Sequence, residues 1–517
     1  MDDIKGKHKK LGVRTGREYL SGLQDDREIW TGGKRIKDVT NHSATKRCAE
    51  TLAGFFDKQI SSNYLKNLTY LDADGIRCAI SFKPPKSVKD IKERGKAYYE
   101  WAKWSHGMFG RTPDYKNASI MSFAIAKSWL DQGKERGLSK TLFSENIENY
   151  YNFIRLNDKV LTHTLVNPQK NYEVALEGKY DDEVALHVVK ETDAGIVVKG
   201  ARLLATLGPI ADEIEVFPST LLKGSEDNLP FAFAFALPIA TPGIKLIARD
   251  TYDHGKSNFD APLSSRFEEM DAVVIFDNVL VPWERVFMYR EPLLCNQAFS
   301  KTNAVVHMMH QVACSKLAKS EFMVGLMVSI VKASGKDKDI SIKNLISEVM
   351  MMTETIKALL YSSESHAHID EWGHYIPLRK PIDTSRNLFP TMYPRMVEIL
   401  QLLGSSSLMA TPSEADFKNE LKDDVKKYFQ MINVDSKKRI SLFRLAHDVC
   451  ISGFGNRQAL YERFFFGPPA IMKAGYFDLY QSKDLEERIS SGEINSLTKK
   501  ERLNIERPKT INHEGEQ

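Results

Sequence analysis

The chain has 517 residues, 42% of them hydrophobic and 27% charged, a balance typical of a soluble globular protein with two or three sub-domains. Its 72 basic and 68 acidic residues are interspersed and leave a formal net charge of +4, which gives no reason to expect a nucleic-acid partner. The basic N-terminus lacks the apolar segment of a secretory signal, and no stretch approaches the roughly 20 apolar residues of a membrane span, so we expect a cytoplasmic protein that does not enter a membrane.

Apolar periodicity divides the chain into three regions. Helical spacing dominates at first, short β-type runs punctuated by turn residues follow, and long helical segments return after Trp283. The sequence therefore predicts an α+β protein with an N-terminal helical domain (1–165), a middle, mainly antiparallel β domain (166–287) and a C-terminal bundle of long helices with a polar tail (288–517).

Several familiar catalytic and nucleotide-binding motifs are missing from the sequence. It has neither a phosphate-binding GxxxxGK[ST] loop nor the GxSxG of a serine hydrolase. The segment Gly453-Phe454-Gly455-Asn456 approaches a dinucleotide fingerprint, but it lacks the third glycine and follows a predicted helix. We therefore expect no Rossmann-type NAD(P)H site. The five cysteines are dispersed and form no CxxC pair, so we expect free thiols in a reducing compartment.

The first polar island inside apolar sequence is HGMFGRTPDYKN, residues 106–117. Pro113 fixes a turn, and Arg111 and Tyr115 are four residues apart, so both side chains reach one pocket if the segment is a helical turn or a tight loop. A guanidinium and a phenol that converge there can hydrogen-bond a phenolate or a flavin. The alternative is an Arg111–Asp114 salt bridge that only staples the loop, and this segment alone favours neither interpretation.

The second island, LTHTLVNPQKNY, lies where the helical pattern ends and carries His163, Asn167 and Gln169. A histidine followed by amides at a proline-broken turn can supply a general acid or base and hydrogen bonds to a cofactor. Taken alone, such a histidine is more often a core residue whose hydrogen bonds are satisfied.

The third island, GARLLATLGPIADEIEVFPST, places hydroxyls where strand patterns break or end, at Thr206, Ser219 and Thr220. Hydroxyls and backbone N–H groups at strand ends can bind a carboxylate or a carbonyl oxygen. For any single hydroxyl, ordinary turn capping is the more frequent role.

A possible metal motif lies further along, where His307 and His310 form an HxxH on a predicted helix. No acidic residue lies at suitable sequence spacing, and the surroundings are apolar. We therefore favour a packed helix face over a metal site and expect no metal.

Taken in chain order, these islands and their flanks resemble the 4-hydroxyphenylacetate 3-monooxygenase family of oxygenase components. The matching stretches cover nearly the whole chain and are GREYLSGL, MFGRTPDYKN, LTHTLVNPQ, GARLLATLGPIADEIEVFPS, PLSSRFEEMDAVVIFDNVLVPWERVF and GFGNRQALYERFFFGPP. Six motifs in one order are a specific signal. The resemblance implies an acyl-CoA dehydrogenase-like fold, with a β-barrel-like middle domain between two helical domains and flavin in the cleft where they meet.

The resemblance also implies roles for individual residues. Arg111, Tyr115 and His163 match residues around the substrate phenol and the flavin ring, and are the expected catalytic and substrate-binding groups. Ser219 and Thr220 match a loop that meets the substrate's carboxylate. The other candidates match cofactor-contacting segments and are Asn167, Gln169, Thr206, Gly453, Gly455 and Asn456.

The implied reaction is hydroxylation of 4-hydroxyphenylacetate, or of a similar phenol, ortho to its hydroxyl through a C4a-hydroperoxyflavin made from FADH2 and O2. Hydrogen bonds from the site would hold the phenolic oxygen and favour proton loss as the new C–O bond forms. The implied partners are a separate NAD(P)H:flavin reductase that supplies FADH2 and further copies of the chain in a homotetramer. Long apolar helices such as 392–403 suit a helix-bundle interface.

A lid over the site is also expected, because water would let the oxidant escape as H2O2 before it reacts with the phenol. The loop 219–230 is the candidate, since it mixes charge with Gly224 and Pro230 beside an aromatic run.

Other functions remain open from sequence. Relatives of this architecture hydroxylate nitrophenols, chlorophenols or phenol. A 4-hydroxybutyryl-CoA dehydratase would need an iron–sulfur cluster on three cysteines and a histidine, which Cys295 and Cys314 alone cannot supply. An acyl-CoA dehydrogenase would need a catalytic carboxylate, and the set of Arg111, Tyr115 and His163 argues against that activity. A non-catalytic flavin-storage protein is the alternative outside enzymes, and the full set of polar islands argues against it.

Overall fold

The computed structural model describes residues 12–134, 137–138, 142–168, 170, 183–218, 222, 224–480 and 482–490. The chain divides into two compact units, with the boundary between Phe465 and Phe466. Among the described residues, no helix is both long and apolar enough to cross a membrane.

The first region of the larger unit is mostly helical, because its apolar residues recur with helical period. In the helix Lys46–Gln59, for example, Ala49, Leu52 and Phe56 share one buried face. Two short hairpins interrupt the helices: β1 (Glu28–Thr31) with β2 (Lys34–Ile36), and β3 (Thr69–Leu71) with β4 (Arg77–Ala79). The helices are α1 (Gly16–Gly22), α2 (Lys46–Gln59), α3 (Leu65–Leu68), α4 (Val88–Trp104), α5 (Pro113–Ile125), α6 (Lys127–Leu130) and α7 (Phe143–Leu156).

The middle region is built from strands with alternating or continuous buried residues. Short helical turns connect them, of which Gly208–Ile210, Glu226–Phe231 and Trp283–Arg285 are 3₁₀ and α8 (Ser264–Phe267) is α-helical. The strands are β5 (Leu161–Thr164), β6 (His187–Thr192), β7 (Gly195–Thr206), β8 (Glu213–Val216), β9 (Phe233–Pro238), β10 (Ile244–Ala248), β11 (Asp271–Pro282) and β12 (Val286–Tyr289).

These strands form two sheets, where the sequence predicted one barrel-like domain. One sheet has the order β2-β1-β10-β11-β7-β6 and the other β12-β9-β8-β5, and within the described residues neither closes into a barrel. Most neighbours are antiparallel, as predicted, but β1 pairs with β10 and β5 with β8 in parallel. The strands β1, β2 and β5 come from the region predicted as helical. Strands of three or four residues are too short to show a period, which is why the sequence pattern missed them.

The C-terminal region of the larger unit is a bundle of long helices, as predicted. Its centre is α10 (Ala304–Ala333), which is apolar on most sides and packs against α4, α5, α11 (Ile340–Ser365) and α12 (Arg379–Gly404). A two-strand hairpin, β13 (His368–Ile369) with β14 (Tyr375–Ile376), and 3₁₀ turns at Ser405–Leu408 and Glu414–Phe417 connect the others. Those helices are α9 (Pro292–Lys301), α11 (Ile340–Ser365), α12 (Arg379–Gly404), α13 (Lys422–Tyr428), α14 (Ser436–Cys450) and α15 (Gly453–Phe464).

The smaller unit begins at Phe466. It contains two short helices, α16 (Pro469–Leu479) and α17 (Lys483–Ser490).

Candidate active site

The segment that leads into α5 is fixed by one buried carboxylate. The backbone N–H groups of Gly110 and Arg111 donate to Glu269 Oε1 and Oε2, each at 2.8 Å. A Cβ on Gly110 would lie 2.5 Å from Glu269 Oε1 and 2.6 Å from the ring of Tyr461, so only glycine allows this approach. Pro113 then starts the helix at a position where its missing N–H costs nothing.

The guanidinium of Arg111 lies inside a cage of aromatic rings. Its carbon is 4.5 Å from the ring centre of Tyr115, 4.3 Å from that of Phe465 and 5.5 Å from that of Tyr461. Arg111 Nε and Nη1 are buried, and neither has a hydrogen-bond partner among the described residues. A buried, permanently charged group with two unused donors is an unfavourable arrangement unless a ligand supplies an acceptor.

Arg111 is not stapled to Asp114, the alternative that the sequence left open. Asp114 instead accepts hydrogen bonds from Thr112 Oγ1 at 2.5 Å and Gln311 Nε2 at 3.1 Å. Burial raises the pKa of Asp114 to about 7. The loop is therefore held by Glu269 and by this hydroxyl and amide, and the guanidinium is left facing the aromatic cage.

His163 lies on β5, and its ring centre is 5.8 Å from that of Tyr115. The parallel pairing of β5 with β8 sets His163 beside Glu215. Burial, with the charges of Lys116 and Arg111, holds the pKa of His163 well below its usual value. Burial also raises the pKa of Tyr115. At neutral pH the pocket thus contains a neutral imidazole, a protonated phenol and a guanidinium cation.

A buried ion pair supports this pocket. Lys116 Nζ lies 2.7 Å from Glu215 Oε2, and the two side chains are 1% and 0% exposed. Burial raises the pKa of Glu215 to about 7 and lowers that of Lys116, each against the charge of the other partner. Lys116 follows Tyr115 directly on α5 and Glu215 neighbours His163, so the pair joins the elements that carry the two rings.

A second network links this pocket to an open groove. Arg457 on α15 donates from Nη1 to Glu269 Oε1 at 2.9 Å and from Nη2 to Asp271 Oδ1 at 2.6 Å. Thr206 Oγ1 donates to the same Asp271 oxygen at 2.7 Å. Burial alone would raise the pKa of Asp271, but the charge of Arg457 holds it far below its usual range.

The groove has a volume of about 740 Å³ and lies between α15 and the strands β7, β10 and β11. Its polar side is formed by residues such as Asp271, Arg457 and Asn456. Its apolar side includes Leu204 and Ile247, which are 63% and 49% exposed. A cleft of this size with an apolar wall and a few polar groups suits an organic cofactor.

The residues predicted for the site fall into four groups, of which the glycines of α15 are the last. Arg111, Tyr115 and His163 form one buried cluster, in which the Tyr115 ring contacts both of the others. Thr206 and Asn456 belong to the Asp271 network and the groove, and Asn167 is buried with Oδ1 lacking a partner in the described part of the chain. Three candidates lie outside the described residues, together with part of the predicted lid (219–221 and 223): Gln169, Ser219 and Thr220.

The two glycines predicted for a cofactor-contacting turn lie in the first turn of α15, which Ser452 caps. A Cβ on Gly453 would be 2.6 Å from the ring of Tyr252, and one on Gly455 would overlap the carbonyl oxygen of Val449. Close packing within the protein is sufficient to require glycine at both positions.

The sequence alone did not indicate a role for the polar residues that connect the Arg111 cluster with the groove. These residues are Glu269, Asp271, Arg457 and Tyr461. Their only local signals are the i, i+4 spacing of Arg457 and Tyr461 on α15 and the acidic residues Glu269, just before β11, and Asp271, at its start. All four lie in stretches that carried the family resemblance. Their partners are distant in sequence, so the pattern alone did not indicate a role.

Comparisons with known proteins show the family to which the chain belongs. The family model described as "4-hydroxyphenylacetate 3-hydroxylase N terminal" matches residues 15–288, and the one described as "4-hydroxyphenylacetate 3-hydroxylase C terminal" matches residues 295–491. The 4-hydroxyphenylacetate 3-monooxygenase oxygenase component of a Geobacillus species is 42% identical over 92% of this chain and 96% of its own length. The protein of the same name from Thermus thermophilus is also 42% identical, over 92% of this chain and 96% of its own length.

A solved structure of the same family is also similar to this chain. The crystal structure of the oxygenase component (HpaB) of 4-hydroxyphenylacetate 3-monooxygenase, complexed with FAD and 4-hydroxyphenylacetate, matches with a TM-score of 0.88 at 41% identity. The match covers 94% of this chain and 99% of that one. The predicted fold class is confirmed by this match. On the two family models and these relatives, the chain belongs to the 4-hydroxyphenylacetate 3-hydroxylase family.

Proposed function

We propose that the chain is the oxygenase component of a two-component aromatic monooxygenase. It would convert 4-hydroxyphenylacetate, O2 and FADH2 to the corresponding catechol, water and FAD, with FADH2 supplied by a separate NAD(P)H:flavin reductase. Membership of the family supports the reaction class. The observation that carries the proposal is the buried guanidinium of Arg111, which has two unused donors inside an aromatic cage.

The Arg111 guanidinium is suited to bind the phenolic oxygen of the substrate. Its charge is desolvated, so it gains most from a ligand atom that carries or develops negative charge. A phenolic oxygen does so when its proton leaves, and the same charge makes the ortho carbon electron-rich. The rings of Tyr115 and Phe465, which already border the guanidinium, provide apolar contact for an aromatic substrate.

Tyr115 and His163 are suited to the proton that the phenol loses. The raised pKa of Tyr115 keeps its hydroxyl protonated, so it donates to the phenolic oxygen and orients it. The lowered pKa of His163 keeps an imidazole nitrogen free to accept a proton. A weak base suffices here, because the phenolic proton becomes strongly acidic as the new C–O bond forms on the ring.

The residues present fit a flavin. The groove of about 740 Å³ offers an apolar wall, with Asn456 and Arg457 as polar partners. Thr206, with Asp271 and Arg457, would fix the groove edge that leads to Arg111. When bound, reduced flavin together with O2 supplies the electrophilic oxygen atom. The protein's part is to exclude water and to hold the phenol carbon within about 3 to 3.5 Å of that atom.

Substrate choice and assembly are further parts of the proposal. Ser219 and Thr220 would hold the substrate carboxylate, Gln169 would contact flavin, and the loop 219–230 would close over both. A homotetramer is supported by exposed apolar side chains on the bundle helices, such as Met351 on α11 and Leu402 on α12, which are 64% and 56% exposed. Five free, buried cysteines support a cytoplasmic location.

The direct test mixes the purified chain with chemically reduced FAD, O2 and 4-hydroxyphenylacetate. The product gains one oxygen atom by mass, and the ratio of catechol to H2O2 measures coupling. Nitrophenol, chlorophenol and phenol are run in parallel to rank substrates. Release of H2O2 with no hydroxylated product from any of these phenols contradicts the proposed function. Light scattering on the same preparation tests for a tetramer.

A further inference from the structure

A cluster of metal-binding side chains lies in the helical bundle, on residues to which the proposed reaction assigns no role. It consists of His310 and Cys314, one turn apart on α10, and Glu364 near the end of α11. The imidazole nitrogen, the thiol sulfur and a carboxylate oxygen all lie within 4.8 Å of one another. Of the two HxxH histidines only His310 belongs to the cluster, and its acidic partner Glu364 comes from another helix.

A glycine on a third helix, α4, leaves space for this cluster. Gly95 on α4 faces the carboxylate, and a Cβ at that position would overlap Glu364 Oε1 and lie 3.0 Å from His310 Nε2. Any other residue at 95 would push Glu364 away from the histidine. Two helices, α10 and α11, therefore bring an imidazole, a thiol and a carboxylate together, and Gly95 on α4 leaves them the space.

We propose that His310 Nε2, Cys314 Sγ and the Glu364 carboxylate bind one divalent transition-metal ion of the zinc type. Nitrogen, sulfur and oxygen donors together are a ligand set that zinc accepts, with water completing a tetrahedral site. A hard ion such as Mg²⁺ is disfavoured by the thiol and the imidazole. The site would tie α10 to α11, and α10 also carries Gln311, which contacts Asp114.

The electrostatics of burial support a bound ion. His310 and Cys314 are fully buried, whereas the Glu364 side chain is 16% exposed and gives an entry route. A thiolate and a carboxylate balance the two charges of the ion, so the filled site is neutral in a low-dielectric bundle. The thiol proton leaves to solvent on binding.

The distances require rearrangement of both the thiol and the carboxylate. The three ligand atoms lie within 4.8 Å of one another, whereas a sulfur and a nitrogen or oxygen ligand of tetrahedral zinc are about 3.6 Å apart, so Cys314 Sγ would move in by up to about 1 Å. His310 Nε2 lies 2.8 Å from Glu364 Oε1, as in a direct hydrogen bond. Nitrogen and oxygen ligands of tetrahedral zinc are about 3.3 Å apart, given bond lengths of about 2.0 to 2.2 Å. The carboxylate would move back by roughly half an ångström, which its partial exposure allows. A plain histidine–carboxylate hydrogen bond is the competing interpretation, and it gives the cysteine no role.

Metal content tests the proposal directly. The full-length chain is stripped with a chelator, loaded with Zn²⁺ or Co²⁺, desalted and analysed by mass spectrometry of the metal. We expect one ion per chain, and for Co²⁺ a thiolate-to-metal charge-transfer band in the near ultraviolet. A folded wild-type chain that retains no metal, or that binds Co²⁺ without this band, overturns the proposal.

Variants locate the ion. Cys314→Ser should abolish the charge-transfer band, while Cys295→Ser, a buried cysteine of α9, should keep it. Glu364→Gln preserves a hydrogen bond to His310 but removes the anionic ligand, and should weaken binding ~10-fold or more. If Cys314→Ser fails to fold, Glu364→Gln still tests whether the ion binds at this cluster, because a substitution at the partly exposed Glu364 disturbs the fold less. Metal retained equally by Cys314→Ser and Glu364→Gln would belong to another site and refute the assignment.

Discussion

Replacement of Arg111 by methionine separates a role in binding the phenol from a role in the fold. Methionine fills a similar volume between the rings of Tyr115 and Phe465 but removes the charge and both unused donors. If Arg111 binds the phenolic oxygen, activity falls steeply. If it only packs between the rings, activity and stability fall together.

The structure sets the size of both effects. A hydrogen bond from a charged donor is worth about 1.5 to 3 kcal/mol, so two such bonds made in the transition state are worth about 3 to 6 kcal/mol. That energy corresponds to a fall of about 10²- to 10⁴-fold in kcat/KM for the phenol. For the ligand-free fold, two unpaired buried donors cost about as much as the cation–π contacts with three rings contribute. We therefore expect the free energy of unfolding to change by less than ~2 kcal/mol.

The assay is single-turnover formation of catechol from pre-mixed FADH2, O2 and 4-hydroxyphenylacetate, with urea unfolding of the same preparations. Arg111→Lys, which keeps the charge but not the planar fork, is the matched control and should fall between wild type and methionine. Arg111→Met protein that keeps wild-type kcat/KM refutes the role in phenol binding. A loss of stability well beyond ~2 kcal/mol would show that the guanidinium is structural.

Three further changes test the surroundings of the pocket. Burial raises the pKa of Asp114 from an ordinary 3.8 to about 7, so the stability from its bound proton is present at low pH and lost as the pH rises through about 7. The stability of Asp114→Asn relative to wild type should therefore rise by about 4 kcal/mol between about pH 4 and pH 8 in urea titrations, and a pH-independent difference contradicts this. Gly110→Ala should increase H2O2 released per catechol, because the added Cβ would lie 2.5 Å from Glu269 Oε1; unchanged coupling in a folded variant would show that this contact is not needed. Burial would raise the pKa of Glu462, but two buried lysines lower it from 4.5 to about 2, so its stabilisation is present above pH 4.5 and lost as the pH falls through about 2. Glu462→Gln should accordingly cost about 3 kcal/mol at pH 7 and progressively less in acid, and equal stability of variant and wild type at pH 7 would count against the ion pairs.

The rings and charges of the pocket could be predicted where the signal is local. Arg111 and Tyr115 are four residues apart around Pro113, so the entry into α5, just before and within its first turn, sets their geometry. The long bundle helices were equally visible, since α10 repeats apolar residues over 30 positions. His163 stood out as a polar residue in apolar sequence. Its neighbour Glu215 did not, because only the pairing of β5 with β8 brings them together.

The rest depends on contacts between distant parts of the chain. Glu269 accepts hydrogen bonds from the backbone N–H groups of Gly110 and Arg111, which are 159 and 158 residues away in sequence. It also accepts one from the guanidinium of Arg457, 188 residues away. No periodicity or local spacing encodes such pairs. The same holds for β1, which joins its sheet through a parallel pairing of Glu28 with Lys245. Glu269 and Arg457 lie in stretches that resemble the family, but the resemblance did not predict that they contact each other.

The pairing of buried charges argues that Arg111 serves a ligand. Three other buried cations nearby are each paired with a carboxylate of the protein. The pairs are Lys116 with Glu215, Lys316 with Glu462, and Arg457 with Asp271. Arg111 makes no such ion pair in the described chain and keeps two idle donors. Because an unpaired buried charge lowers stability, a fold retains one when something outside the chain completes it. A phenolic oxygen would supply the acceptor that Arg111 Nε and Nη1 lack among the described residues.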